Sequence, residues 1–282
     1  MANERTAALD MGLAWNDAVA LLRANLRVVL IVAGVFFFLP NAIAAVAMPQ
    51  PAELDAMASS PDLAENMDAF MAALSGYYAS IWWVFALIAL LQAMGMIGLL
   101  ALLTDAARPT VGQALGFGAR ALVPYIAAQV LVTVIIVLVG GLLVGIGAAI
   151  NPALAVLLGL VALVMALYLY VKFSLVSPVI AIEKVMNPLR AIIRSWQLTK
   201  GNSLRLFFFY FLLVLVALVI FAVASMVLSI FSLAGDEAGL FASAIGGSLI
   251  QMALIVVMLG VLAAVHRQLS GGSAPAVRET FD

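Results

Sequence analysis

Six apolar runs, separated by short polar breaks, set the layout of this chain. They cover about Leu26 to Met48, Tyr77 to Leu103, Val123 to Ile150, Pro152 to Val176, Leu204 to Leu233 and Leu240 to Val265. Each is as long as the roughly 20 residues a helix needs to cross a bilayer. Asn151-Pro152 supplies the tight turn between the third and fourth. The pattern predicts an all-α, polytopic integral membrane protein with six transmembrane helices and two or three cytoplasmic interfacial amphipathic helices. Residues 1–25 are read as the first of these, with Leu9, Leu13 and Leu21 or Leu22 towards lipid and Asp10, Asp17 and Arg23 towards water. Residues 26–265 form the membrane domain and 266–282 a cytoplasmic tail. The first run resembles a signal peptide, because Arg23 and Arg27 precede it and it ends in Ala45-Val46-Ala47; it is read as a retained span.

The connector over 177–204 is the longest polar interruption in the second half. Asn187 is a helix N-cap, Pro188 suits the first helical position and Gly201 can close the helix in the left-handed conformation. Leu189, Ile192, Ile193 and Trp196 recur on one side, and Arg190, Arg194 and Gln197 on another. A short helix with an apolar stripe, a tryptophan and a cationic face suits a membrane surface. Two readings stand: a basic connector with an interfacial anchor, or a site for an anionic headgroup or a partner's phosphate. In the second, Arg190, Arg194, Lys200 and Arg205 attract the anion and Trp196 sets the depth. Pro109 and Thr110 open a further surface helix in the loop over 104–122.

Composition agrees. Of 282 residues, 66% are hydrophobic and 10% charged, more apolar surface than a soluble domain can hide. The loop over 49–76 carries Glu53, Asp55, Asp62, Glu65 and Asp68 and no Lys or Arg. Ser60 and Pro61 are expected to start a helix there, with Leu63, Met67, Phe70, Met71 and Leu74 on one face; its methionines read as flexible apolar filler. Tyr77, Tyr78, Trp82 and Trp83 then mark a membrane boundary. With the amino terminus in the cytoplasm, all thirteen Lys and Arg fall on the cytoplasmic side or at the inner end of a span, and seven of fourteen acids fall outside. That is the positive-inside pattern, and it places both termini in the cytoplasm.

Chemistry has little to work with. Cysteine is absent and His266 is the single histidine, so no metal site is expected. No nucleophile elbow or catalytic pair of carboxylates is visible; no catalytic residue, cofactor or nucleic-acid partner is expected. Gln92, Gln129 and Gln251 are the amides at depth, read as interhelical hydrogen-bonding groups or as the lining of a polar cavity. Lys172 is one turn from its span's inner end and is expected to snorkel. Glu183 is expected to pair with Arg190 or Lys184. Gly141 and Gly145 form a small-xxx-small spacing for helix packing, within the chain or between protomers, the first being favoured. Leu13-Ala14-Trp15, Gln113-Ala114-Leu115 and Arg190-Ala191-Ile192 occupy matching places in the three surface helices, which is consistent with a threefold repeat of surface helix plus hairpin.

The run from Glu183 to Gly201, with Asn187-Pro188-Leu189-Arg190-Ala191 and Arg194-Ser195-Trp196-Gln197-Leu198-Thr199-Lys200-Gly201, resembles the glycerophosphoryl diester phosphodiesterase membrane domain family of bacteria. The specific part covers about 25 residues, Ser177-Pro178 included. The resemblance implies a stand-alone membrane domain in a bacterial inner membrane. The family's soluble phosphodiesterase is not expected, since seventeen residues follow Val265 and the enzyme's metal-binding carboxylates and histidines have no counterparts. The leading expectation is a non-catalytic protein that engages anionic phospholipid or a lipid-derived phosphodiester at its cytoplasmic face. A transporter or channel for a small solute or lipid, and a scaffold recruiting a soluble partner, are the alternatives; a homo-oligomer is compatible with each.

Overall fold

The structure, a computed structural model, describes residues 8–48, 51–105 and 109–271. The expectations for residues 1–7 and for the tail from 272 onward lie outside them. Every regular element among the described residues is a helix, with no strand. Helix α1 is Met11–Ala24. The first span, Leu26–Ala47, is α2 (Leu26–Ala33), a π-helical turn (Gly34–Phe38) and α3 (Leu39–Ala47). A short α4 (Ala52–Ala58) precedes α5 (Met67–Thr104). Then come α6 (Val111–Ile150), α7 (Pro152–Phe173), α8 (Val176–Ile182), α9 (Pro188–Leu198), α10 (Ser203–Ser229) and α11 (Asp236–Leu269). Six of the resulting stretches are long and apolar enough to cross a membrane.

Prolines explain where the spans depart from regular helix. Pro40 has no amide to give the carbonyl four residues back, and the wide π-turn lies immediately before it. Asn41 Nδ2 donates to the Phe37 carbonyl at 2.6 Å, so this amide within the first span is satisfied locally. Pro178 does the same to the fourth span. The helix breaks at Ser174-Leu175, one turn before it, and Ser174 Oγ donates to the Val171 carbonyl and shares a 3.2 Å contact with the Tyr210 hydroxyl. The segment from Val176 to Ala181 is buried, so the connector starts at Glu183 rather than at 177.

Two expected surface helices are not separate. The helix opened at Thr110 runs without a break through Pro124 into the third span, giving one helix of 40 residues. Thr110 and Gln113 form a reciprocal capping box at its start. Ala114, Gly118, Ala121 and Ala128 bury its inner side, and that packing outlasts the single hydrogen bond a proline removes. In the acidic segment, residues 61–66 form turns and the helix starts at Met67, continuous with the second span for 38 residues. At 1.5 Å per residue these two helices reach about 60 Å, twice the bilayer's hydrocarbon core of about 30 Å.

Small residues set the crossing points. A Cβ on Gly95 would lie 2.5 Å from Phe36 Cβ, and one on Gly118 would lie 2.6 Å from the Met94 carbonyl oxygen. These contacts hold α5 against the first span and against α6. Gly260 receives Leu22 in the same way, so α1 packs across the end of α11. Leu9 is therefore buried in protein and Leu22 is half-buried against the core, rather than facing lipid; Leu13 is exposed as expected. Gly141 and Gly145 pack against nothing: no atom lies within 4 Å of a Cβ placed at either. Packing within the chain falls instead to Gly147, which meets the Ala155 backbone across the α6–α7 turn.

Candidate ligand-binding surface at the basic end

One end of the bundle gathers the two ends of the described chain, the loop after α5 and the connector around α9. Lys184 Nζ bonds Asp105 at 2.9 Å, and His266 at the end of α11 reaches Glu183. The acidic segment lies at the other end, one span away along the chain.

Helix α9 is built as its residues dictate. Asn187 Oδ1 accepts from the Arg190 amide at 3.1 Å, and Pro188 follows at the first position. Gly201 adopts φ 81° and turns the chain into α10. Successive residues advance about 100° around a helix, and α9 divides into three faces rather than two. Ala191, Ile192, Ser195, Leu198 and Thr199 are buried against the protein. Beside them Trp196, Leu189 and Ile193 are 38%, 58% and 56% exposed. Gln197, Arg190 and Arg194 come next. Ile192 thus belongs to the protein side, away from the stripe of Leu189 and Ile193.

Glu183 departs from its expected partners. Its carboxylate oxygens accept from Arg194 Nε at 3.1 and 3.0 Å, and Oε1 also accepts from His266 Nε2 at 3.0 Å. The cause is the backbone. Lys184 takes φ 56°, the left-handed conformation, so consecutive side chains diverge: Lys184 turns to Asp105 and Glu183 turns back to α9 and α11. Arg194 is therefore committed to an acid. Among the described residues, Arg190, Lys200 and Arg205 have no ion pair, and all three are exposed.

Lys172 does not snorkel. Its side chain lies beneath aromatic rings and the residue is 3% exposed. Its ammonium sits 5.0 Å from the Trp196 ring centre and 5.5 Å from that of Tyr168. Trp196 also packs edge-on against Tyr168 and at a tilt against Phe173. The Lys172 carbonyl accepts from Ser195 Oγ at 2.8 Å; the Thr199 hydroxyl lies 3.4 Å from it but nearer the Ser195 carbonyl of its own helix, at 3.0 Å. Ser195 of the polar phrase thus ties α9 to the end of α7.

Further polar bonds close the bundle. Asn202 Oδ1 accepts from the Leu9 amide at 2.9 Å. Gln268 accepts from the Asp10 amide and donates to the Asp10 carbonyl, both at 3.2 Å, and Arg267 pairs with Asp17 at 2.6 Å. Residues 266–268 are therefore helix and contact, not tail. Sequence reasoning missed Asn202 and Gln268 as clamps. Asn202 stood in the polar phrase, whereas nothing local marks Gln268.

The three amides at depth do not come together. Gln129 is exposed and donates to the Tyr125 hydroxyl one turn away at 3.0 Å; Gln251 is exposed; Gln92 Nε2 is buried without a partner among the described residues. Two hollows lie elsewhere. One of about 320 Å³, wholly apolar, is formed by α3 and Ile245. Another of about 760 Å³ lies at the basic end among Asn25, Val29, Leu99, Leu103, Asp105 and Thr110. No group of three or more metal-ligating side chains occurs among the described residues. Comparison of the chain with protein-family models, curated proteins and solved structures finds no match.

Proposed function

We propose that the chain is a non-catalytic, multi-pass protein of a bacterial inner membrane that binds anionic phospholipid, or a lipid-derived phosphodiester, at its basic end. Both termini and α9 then face the cytoplasm, as the one-sided distribution of bases suggests. The observation that carries the reading is the three-sided α9. One face is fastened to protein, the next presents Trp196, Leu189 and Ile193 to lipid, and the third lifts Arg190 towards the headgroups. Lys200 and Arg205 add unpaired charge beside it. Arg194 steadies Glu183 and is assigned no ligand. Each base near an anionic surface contributes about 1 kcal/mol. The resemblance of residues 183–201 to the glycerophosphoryl diester phosphodiesterase membrane domain points to the same chemistry.

We further infer a threefold repeat. The caps Asp10, Thr110 and Asn187 each accept from the amide three residues on. Four residues after each cap stand Ala14, Ala114 and Ala191, and eight after stand Ala18, Gly118 and Ser195, all buried. Each such helix packs on the second span of another unit: α1 on α11, the start of α6 on α5, and α9 on α7.

The test uses full-length protein in nanodiscs containing a set fraction of phosphatidylglycerol, with retained lipid counted after extraction. The triple variant R190Q/K200Q/R205Q should retain less anionic lipid than wild type. The difference should shrink as salt is raised, because exposed charges are screened. Equal retention by both proteins at low salt rejects the reading. A transporter would instead need one cavity lined by Gln92, Gln129 and Gln251, and two of those residues are exposed on the bundle's surface.

A further inference from the structure

Lys172 is a buried cation. Among the described residues no acid pairs with its ammonium and no group accepts a hydrogen bond from it. Lys200, another cation, follows Thr199, whose hydroxyl lies 3.4 Å from the Lys172 carbonyl oxygen. Taking an ammonium out of water is expensive unless an anion or a set of acceptors replaces the water. Two ring faces offset only part of that cost. Lys172 stands in the last turn of α7; it is held down, because Ser195 fastens its own carbonyl and Trp196 closes over its ammonium.

The surroundings fit one class of occupant. Lys200 stands exposed in the turn that follows α9, four residues after Trp196. Leu189, Ile193 and Tyr168, all exposed, continue the surface as an apolar one. An occupant that satisfies both parts carries an anionic group for two ammonium ions and a hydrocarbon portion to lie along the rings. An ammonium binds phosphate as a point charge, and an anionic phospholipid joins such a phosphate to hydrocarbon.

We propose that Lys172 and Lys200, with Trp196 between them, form a discrete site for the phosphate of one anionic phospholipid, whose acyl chain lies along Tyr168, Leu189 and Ile193. The site rests on the lipid-binding reading above and narrows it from a charged surface to a single seat. Trp196 becomes the cover of that seat as well as a depth marker. Lys172 is the residue that distinguishes bound lipid from lipid merely attracted to the bases.

The experiment uses full-length W15F/W82F/W83F protein, in which Trp196 is the one tryptophan, in nanodiscs doped with brominated phosphatidylglycerol. Quenching should saturate at a low mole fraction of the brominated lipid and persist at high salt, since a partly buried pair is screened little. Brominated phosphatidylcholine should quench far less. K172Q should raise the half-saturating fraction roughly tenfold, the scale of one charge-assisted hydrogen bond, and K172R should stay within about twofold of the parent. A K172Q protein that titrates like the parent overturns the site. Should K172Q fail to fold, the parent decides: equal quenching by the two brominated lipids overturns the proposal. Reversal of quenching by inorganic phosphate would assign the seat to a soluble phosphate ester and overturn the lipid assignment. The R190Q/R205Q protein separates the two ideas. Weakened lipid retention there with K172Q unchanged sinks the seat and keeps the surface; weakened binding in K172Q alone sinks the surface as a source of affinity.

Discussion

Helices α1 and α9 start from the same plan and end in different service. Each has a capping side chain, an alanine four residues on and a small residue four further, both buried. In α1 that second residue is Ala18; in α9 it is Ser195, whose hydroxyl reaches the Lys172 carbonyl. The acids of α1 are spent within the molecule, Asp10 on its own cap and Asp17 on Arg267. Helix α9 has no acid; Arg194 borrows Glu183 from outside the helix, and Arg190 is left with none. Helix α1, with its charge balanced, closes the bundle, whereas α9 keeps surplus charge beside an exposed apolar strip, the feature on which the lipid-binding proposal rests.

Three measurements sharpen or break that contrast. The largest effect should come from the shared alanines. Ala14→Leu and Ala191→Leu each force a branched side chain into a fully buried position and should lower stability by about 1–3 kcal/mol, read as thermal unfolding in detergent. If A191L is neutral, α9 does not dock as described. Next, Glu183→Gln leaves Arg194 and buried His266 without a carboxylate and should cost about 2 kcal/mol. Asp17→Asn breaks one ion pair, as exposed as that of Glu183 with Arg194 but with no buried partner like His266, and should cost at most about 1 kcal/mol; an equal loss in both would erase the distinction between the helices. Smallest, Ser195→Ala should cost about 1 kcal/mol through one buried hydrogen bond. It should also loosen Trp196, seen as a red-shifted emission in protein whose other tryptophans are Phe. No change in that emission would remove Ser195 as the fastener.

Much of the architecture was legible along the chain. Hydropathy located all six spans, because a run of some twenty apolar residues has few other uses. Their ends were less legible. The break at Ser174 was missed, although Pro178 signals it, because the residues around it are as apolar as those of the span. The surface helix before Pro124 was separated from its span for the opposite reason: proline is a helix breaker only where packing does not outweigh one lost bond, and buried Ala121 and Ala128 flank this one.

The site divides in the same way. Asn187, Pro188, Arg190, Trp196 and Gly201 act locally, within a turn or two of their own helix, so their placement followed from the order of residues. Composition and spacing by themselves determined the helical spans and the extent of α9. The partnership of Glu183 with His266, the clamp of Gln268 on Asp10 and the seat of Lys172 beneath Trp196 were decided by tertiary structure alone. Each joins residues far apart in the chain, through backbone turns and helix crossings whose geometry is set by every packed side chain at once.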